Sequence, residues 1–311
     1  MRNVAFLFAG QGAQYVGMGQ DLYNNYEKVR DIFDRADNIL DYALSDICLN
    51  GPSELLNQTE NTQPAVYMMG YAIYSILDGN LPKPRMMAGL SLGEYTALTA
   101  AGSISFGDGI NLVRQRARFM QEAVPLGKGA MAAILGLSTE DVKKCCDLSK
   151  SIGTVEAANY NSPGQIVISG EKEAVESACQ HAKDLGAKRA ILLPVSAPFH
   201  CSMLEPAAKR LGEELSNIDI ISPNIKIISN VTAKPIAGKK EISKLLTMQV
   251  TNPVRWQESM EFAIAEGIDT FIELGPGRTL TNLLKRIDRN IEGYNIEDIE
   301  SLERVLKEFG C

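Results

Sequence analysis

Residues 89–93 read Gly-Leu-Ser-Leu-Gly, a serine held between two glycines. A G-x-S-x-G run between a strand and a helix folds as an elbow so tight that only glycine fits beside the serine. The turn lifts the hydroxyl above the sheet edge and leaves the following amide at a helix N-terminus, open to an oxyanion. An ordinary glycine-rich turn has the same five-residue pattern, so the reading depends on a base. A serine hydroxyl is a weak nucleophile until its proton is taken, and histidine, with a pKa near neutrality, is suited to take it. The chain has two histidines. His181, in VESACQHAKDLGA, falls on the polar face of a predicted helix and reads as solvated. His200, in VSAPFHCSML, sits where an extended proline-containing stretch meets a helix start, and is the candidate partner of Ser91.

A third group would orient the imidazole. In hydrolases with this elbow the chain order is Ser, acid, His. The acids between Ser91 and His200 include Glu94, Asp108 and Glu122, and none ends a predicted core strand. A neutral acceptor such as a backbone carbonyl is the alternative. Arg116, in RQRARFMQ, falls near Leu112, Val113 and Met120 on the helical wheel, further inward than Arg114 or Arg118. It either snorkels from a solvated face or turns inward to grip a carboxylate with both nitrogens. The loop FAGQGAQ follows the first predicted strand, and its amides could complete an oxyanion pocket. Its likeness to a dinucleotide loop fails: Tyr15 stands where the third glycine belongs, and Asp31 lies in a predicted helix. ELGPGRTL, 273–280, reads as a tight strand-to-helix connection.

These residues need a frame. VAFLFAG (4–10) and RMMAG (85–89) read as strands; 64–77, 93–102 and 106–124 have helical periodicity. Strand–helix alternation of this kind predicts a mainly parallel sheet. The order changes after 124. Over 128–195 it reads strand, helix, strand, turn at NSPGQ, strand, helix, strand, which is the ferredoxin-like order. The expected class is therefore α/β, with a large domain from 1–127 and 196–311 and a small inserted subdomain at 128–195. IKIISN (225–230) and DTFIELG (269–275) read as further strands of the large domain.

Composition narrows the partners. The 311 residues are 45% hydrophobic and 22% charged, ordinary for a globular chain. A net charge of −7, one tryptophan and 6% aromatics argue against nucleic-acid binding. No run approaches the ~20 apolar residues of a membrane helix. MRNVAFLFAGQG has no signal-peptide cleavage pattern, so a cytoplasmic location is expected. Cys48, Cys145, Cys146, Cys179, Cys201 and Cys311 form no C-x-x-C pair and read as free thiols, with no metal implied.

Together, FAGQGAQYVGMG, GLSLGEYTAL, RFMQEAVPLGKGAMAAILGL, NYNSPGQIVISG, LPVSAPFHCSMLEPA, NPVRW and ELGPGRTL resemble the malonyl-CoA:acyl carrier protein transacylases of type II fatty acid synthesis and the related acyltransferase domains of polyketide synthases. The motifs run in the family's order from residue 5 to about 287. The resemblance implies a hydrolase-like domain with a ferredoxin-like insertion. It also implies malonyl transfer from coenzyme A to the phosphopantetheine thiol of acyl carrier protein through a malonyl-serine, without a cofactor. Position by position it implies Ser91 as nucleophile and His200 as base. The amides of Gln11 and Leu92 would form the oxyanion hole, Arg116 would hold the malonyl carboxylate, and the backbone carbonyl of Gln249 would orient the histidine. Leu90 stands where the family usually has histidine, which puts acyl selectivity in question; Phe199 resembles the malonyl-selecting form. Carrier proteins of this family are acidic, so a basic docking patch at Arg278, Lys285, Arg286 and Arg289 is expected. The rivals are a serine hydrolase, a polyketide acyltransferase and a binding module with a dead site.

Overall fold

Neighbouring side chains of a strand point to opposite faces, so the continuous apolar run 4–8 calls for cover on both sides of a sheet. The structure, a computed structural model, describes residues 2–77, 79–195 and 197–310. Its strands are β1 (Val4–Phe8), β2 (Met86–Gly89), β3 (Gly129–Leu135), β4 (Val155–Ser162), β5 (Gln165–Glu171), β6 (Arg189–Leu192), β7 (Lys226–Ile227), β8 (Thr270–Leu274) and β9 (Glu292–Ile296). β1 is buried throughout and is the middle strand of a five-stranded sheet, order β7-β2-β1-β8-β9, in which every pairing is parallel. On one face, Phe6 and Phe8 join a core with helices Thr59–Ile76, Leu92–Ala100 and Phe106–Ala123. On the other, Ala5 and Leu7 pack with Trp256, Met260 and Leu283.

Register decides where loops emerge. Phe8 pairs with Gly89 on one side and with Leu274 on the other, so β1, β2 and β8 end level. The segments that follow them, including Gln11, Leu90–Leu92 and Gly275–Gly277, leave the sheet at one edge, where open α/β sheets bind their ligands.

The second sheet is antiparallel, order β4-β5-β3-β6, with helices Thr139–Ser149 and Lys172–Asp184 packed on it over a separate core. This is the ferredoxin-like order. Two backbone bonds tie this sheet to the segment between helices Lys239–Thr251 and Trp256–Ala265: Tyr160 N–H to the Val254 carbonyl, 2.9 Å, and Val254 N–H to the Ala158 carbonyl, 2.8 Å. The class is thus α/β with a mainly parallel sheet and a small antiparallel one. The boundary expected at residue 196 falls on Ser196, outside the described residues. Cys48, Cys145, Cys146, Cys179 and Cys201 are buried free thiols, while Cys311 also lies outside the described residues. Among the described residues no helix is long and apolar enough to cross a membrane.

Three elements differ from expectation. The helix expected from residue 64 begins at Thr59, because Asn61, Thr62 and Gln63 are buried although polar. Only Lys226–Ile227 of the expected strand 225–230 pairs as β7, since Asn230 turns away to bond the elbow. β9, with glycine and asparagine in an edge strand, carries little apolar signal and was not anticipated.

Candidate active site

Two glycines make the elbow possible. A Cβ on Gly89 would lie 1.9 Å from the carbonyl carbon of Gly93, and one on Gly93 would lie 2.1 Å from the Phe8 carbonyl oxygen. Between them Ser91 takes φ 54°, ψ −104°, an unusual conformation for a residue with a side chain. The Ser91 amide donates to Asn230 Oδ1 at 2.7 Å, and Asn230 Nδ2 donates to the Gly89 carbonyl at 2.8 Å. Leu92 opens the helix Leu92–Ala100, so its amide belongs to the first turn, which has no intrahelical acceptor.

His200 reaches the serine from a sequence distance of 109 residues: Nε2 lies 2.7 Å from Ser91 Oγ. Its Nδ1 lies 2.7 Å from the backbone carbonyl of Gln249. A carbonyl only accepts, so Nδ1 carries the proton and Nε2 presents its lone pair to the serine. Among the described residues no acid stands behind the ring. Burial first, and the nearby Arg116 charge second, push the imidazole down to about 3. It is therefore neutral, and able to take a proton, throughout the physiological range.

Arg116 is 1% exposed. Its Nη2 donates to Ser91 Oγ at 2.9 Å and to Gln249 Oε1 at 3.1 Å, and Nη1 donates to Gln63 Oε1 at 2.7 Å. The guanidinium also lies 5.3 Å from the centre of the Tyr95 ring. These hydrogen-bond partners are all neutral, and among the described residues Arg116 forms no ion pair. A buried cation in that state favours an anion. Its position beside Ser91 Oγ would place that anion next to the serine hydroxyl.

These side chains open into a cleft of about 190 Å³. One wall carries Leu90, Ser91, Arg116 and His200; the other comes from the antiparallel sheet, with Met131 and Val167. Gln11 lines it, its side chain bonded to Thr59 Oγ1 at 3.3 Å, as do Leu92 and Phe199. A larger cavity of about 700 Å³, lined by Arg35, Tyr71 and Pro84, contains none of these residues. His181 lies in the last turn of Lys172–Asp184, away from the cleft. An activated serine, a buried donor for an anion and two candidate amides for an oxyanion suit acyl transfer through an ester.

A family model described as an acyl transferase domain matches residues 5–306. The chain belongs to the acyl transferase family. Among its curated relatives, the malonyl CoA-acyl carrier protein transacylase of Bacillus subtilis (strain 168) is 44% identical over 308 residues, covering 99% of this chain and 97% of that protein. The Escherichia coli (strain K12) protein of the same name is 46% identical over 288 residues, 92% of this chain and 93% of its own. The crystal structure of the transacylase from Clostridium perfringens aligns with a TM-score of 0.95 at 48% identity, covering 98% of this chain and 96% of that one. A further structure, a malonyl-transacylase in complex with a type II PKS acyl-carrier protein, aligns at TM-score 0.96 and 42% identity, over 98% of this chain and 99% of that one.

In this acyl transferase the basic residues expected to dock a partner lie along one helix. Arg278 caps Thr279–Ile287, Lys285 and Arg286 occupy its last turn, and Arg289 follows. Thr279 and Leu283 of that helix line the cleft, and Arg286 bonds Gln165, which also lines it. Arg278 lies 3.8 Å from Glu297. Sequence reasoning missed Asn230 and Gln63. Neither carries charge or nucleophilicity, and the one available signal was an amide at the end of an apolar run (IISN) or just ahead of a helical one.

Proposed function

We propose that the protein transfers a malonyl group from malonyl-CoA to the phosphopantetheine thiol of an acyl carrier protein, in fatty acid synthesis. His200 Nε2 takes the Ser91 proton as the hydroxyl oxygen attacks the thioester carbonyl. The amides of Gln11 and Leu92 receive the oxyanion; losing one such donor typically costs on the order of 10²–10³ in rate. The C–S bond breaks, and coenzyme A leaves as a thiol with the proton from His200. The malonyl ester remains, its carboxylate on Arg116. The carrier thiol then gives its proton to His200, its sulfur attacks the ester, and Ser91 recovers a proton as the C–O bond breaks. This is ping-pong transfer through one covalent intermediate.

The observation that carries the reading is the buried guanidinium of Arg116, which forms no ion pair among the described residues and bonds Ser91 Oγ itself. It supports an acyl group with a free carboxylate, as the names of the relatives do, and the neighbouring complex supports a carrier-protein acceptor. Phe199 and Leu90 lie at the acyl end of the cleft in this reading, where Phe199 crowds an α-methyl branch; excluding one methyl is worth about 1–3 kcal/mol, a preference only. The division into 1–127 with 196–311 and an inserted 128–195, and a cytoplasmic site of action, belong to the same proposal. The residues named supply all the groups the steps use, so the reading calls for no cofactor. Intact-mass spectrometry after mixing with malonyl-CoA tests it. A malonyl adduct is expected on the wild type and none on Ser91→Ala; an unmodified wild type, or an adduct that persists in Ser91→Ala, would overturn the reading.

A further inference from the structure

Glu94 lies three residues after Ser91 and is fully buried. A carboxylate is expensive to bury unless its acceptors are used. Its Oε2 accepts from the Asn230 backbone N–H at 3.0 Å and from Gln249 Nε2 at 2.8 Å, while Oε1 is buried with no hydrogen-bond partner among the described residues. Gln249 Nε2 also donates to the Ser91 carbonyl at 3.0 Å, while Gln249 Oε1 accepts from Arg116 Nη2 at 3.1 Å. A primary amide turned over exchanges oxygen and nitrogen with almost no change of shape, so hydrogen-bond partners alone decide its sense. Two acceptors, the Glu94 carboxylate and the Ser91 carbonyl, select nitrogen on one side. That leaves oxygen facing the guanidinium. Reversed, the amide would point N–H groups at a cation and leave both acceptors short of a donor.

We propose that Glu94 is a positioning residue: by accepting from Gln249 Nε2 it fixes the sense of that amide, and so holds the Arg116 guanidinium against Ser91 where the acyl carboxylate arrives. The inference rests on Arg116 acting as the carboxylate clamp. Gln249 thereby has two separate tasks. Its backbone carbonyl orients His200, and its side chain relays Glu94 to Arg116.

The test uses the full chain with malonyl-CoA and acetyl-CoA as alternative donors, the second lacking the carboxylate. Glu94→Gln keeps the volume and one acceptor oxygen but can donate and can turn over. Measured at pH 8, where this buried carboxyl is ionised, it is expected to lower the malonyl-over-acetyl preference in kcat/KM about tenfold, as for one charge-assisted hydrogen bond, mainly through a higher KM for malonyl-CoA. In an Arg116→Ala background the same change is expected to alter the preference no further. Gln249→Met, which keeps the backbone carbonyl and loses the amide, gives the same selective loss and serves if Glu94→Gln does not fold. Equal losses with both donors, or an unchanged preference, would reduce Glu94 to a structural role and overturn the inference alone. A preference that survives Arg116→Ala would overturn the clamp reading, and this inference with it.

Discussion

Among the described residues, His200 has a backbone carbonyl behind it and no carboxylate. Its Nδ1 proton rests on the Gln249 carbonyl, and burial together with Arg116 holds the ring neutral. An acyl carboxylate arriving on Arg116 would cancel that second influence, so the base would become easier to protonate as substrate is seated. The same depression links stability to acidity. Below its ordinary 6.5 the unfolded imidazole binds a proton that the native one refuses until about 3. The unfolded state then holds more protons, so this residue's contribution to stability is lost as pH falls from 6.5 toward 3. Glu94, which burial pushes up to about 7, acts in the opposite sense. The measurement is therefore a comparison: urea unfolding at pH 6.5, 5.5 and 4.5 should show His200→Asn losing less stability on acidification than the wild type. The limit is one proton, about 1.4 kcal/mol per pH unit. At this scale the sequence offered the chemically loud side chains. A serine between glycines, one of two histidines and an inward arginine could be singled out by type and spacing. Asn230 and Gln63 could not, because an amide acquires its role only from the groups folding brings to it.

The elbow depends on contacts between backbones. Gly93 passes so close to the end of β1 that a methyl group there would overlap the Phe8 carbonyl at 2.1 Å. Gly93→Ala should destabilise by about 3 kcal/mol or more and abolish acylation. Gly107→Ala, in the helix Phe106–Ala123, meets Ile39 at 3.5 Å and Ser105 Oγ at 3.9 Å, ordinary contacts, and should change stability by less than about 1 kcal/mol. Thermal unfolding of the two variants would separate a glycine required by close approach from one that is merely present. Elements with an unbroken apolar run, β1 and β2, were legible in the sequence, as was the strand–helix order of the antiparallel sheet. Those shaped by the site were not. The first turn of Thr59–Ile76 is polar because Gln63 reaches Arg116, and the run 225–230 leaves the sheet early because Asn230 reaches Ser91.

Across the whole molecule, an acidic protein meets what we read as an acidic partner, so the net −7 must be overcome locally. Helix Thr279–Ile287 lies beside the cleft through Thr279 and Leu283 and carries Lys285 and Arg286 at its far end. Reversing Lys285 and Arg289 to glutamate should raise the KM for carrier protein at least about threefold at low salt, with the difference shrinking as salt is added. Release of coenzyme A in the first half-reaction is the control, and steady-state kinetics with carrier protein as the varied substrate is the check.

The distances along the chain have a consequence of their own. Ser91 is 109 residues from His200, whose ring bonds its hydroxyl, and 158 from Gln249, which bonds its carbonyl. A nascent chain leaving the ribosome would carry the serine as an inert hydroxyl until more than as much polypeptide again had been made. On the proposed reading, an unfinished polypeptide therefore consumes no thioester before the segments carrying His200 and Gln249 have been made and folded back onto the elbow.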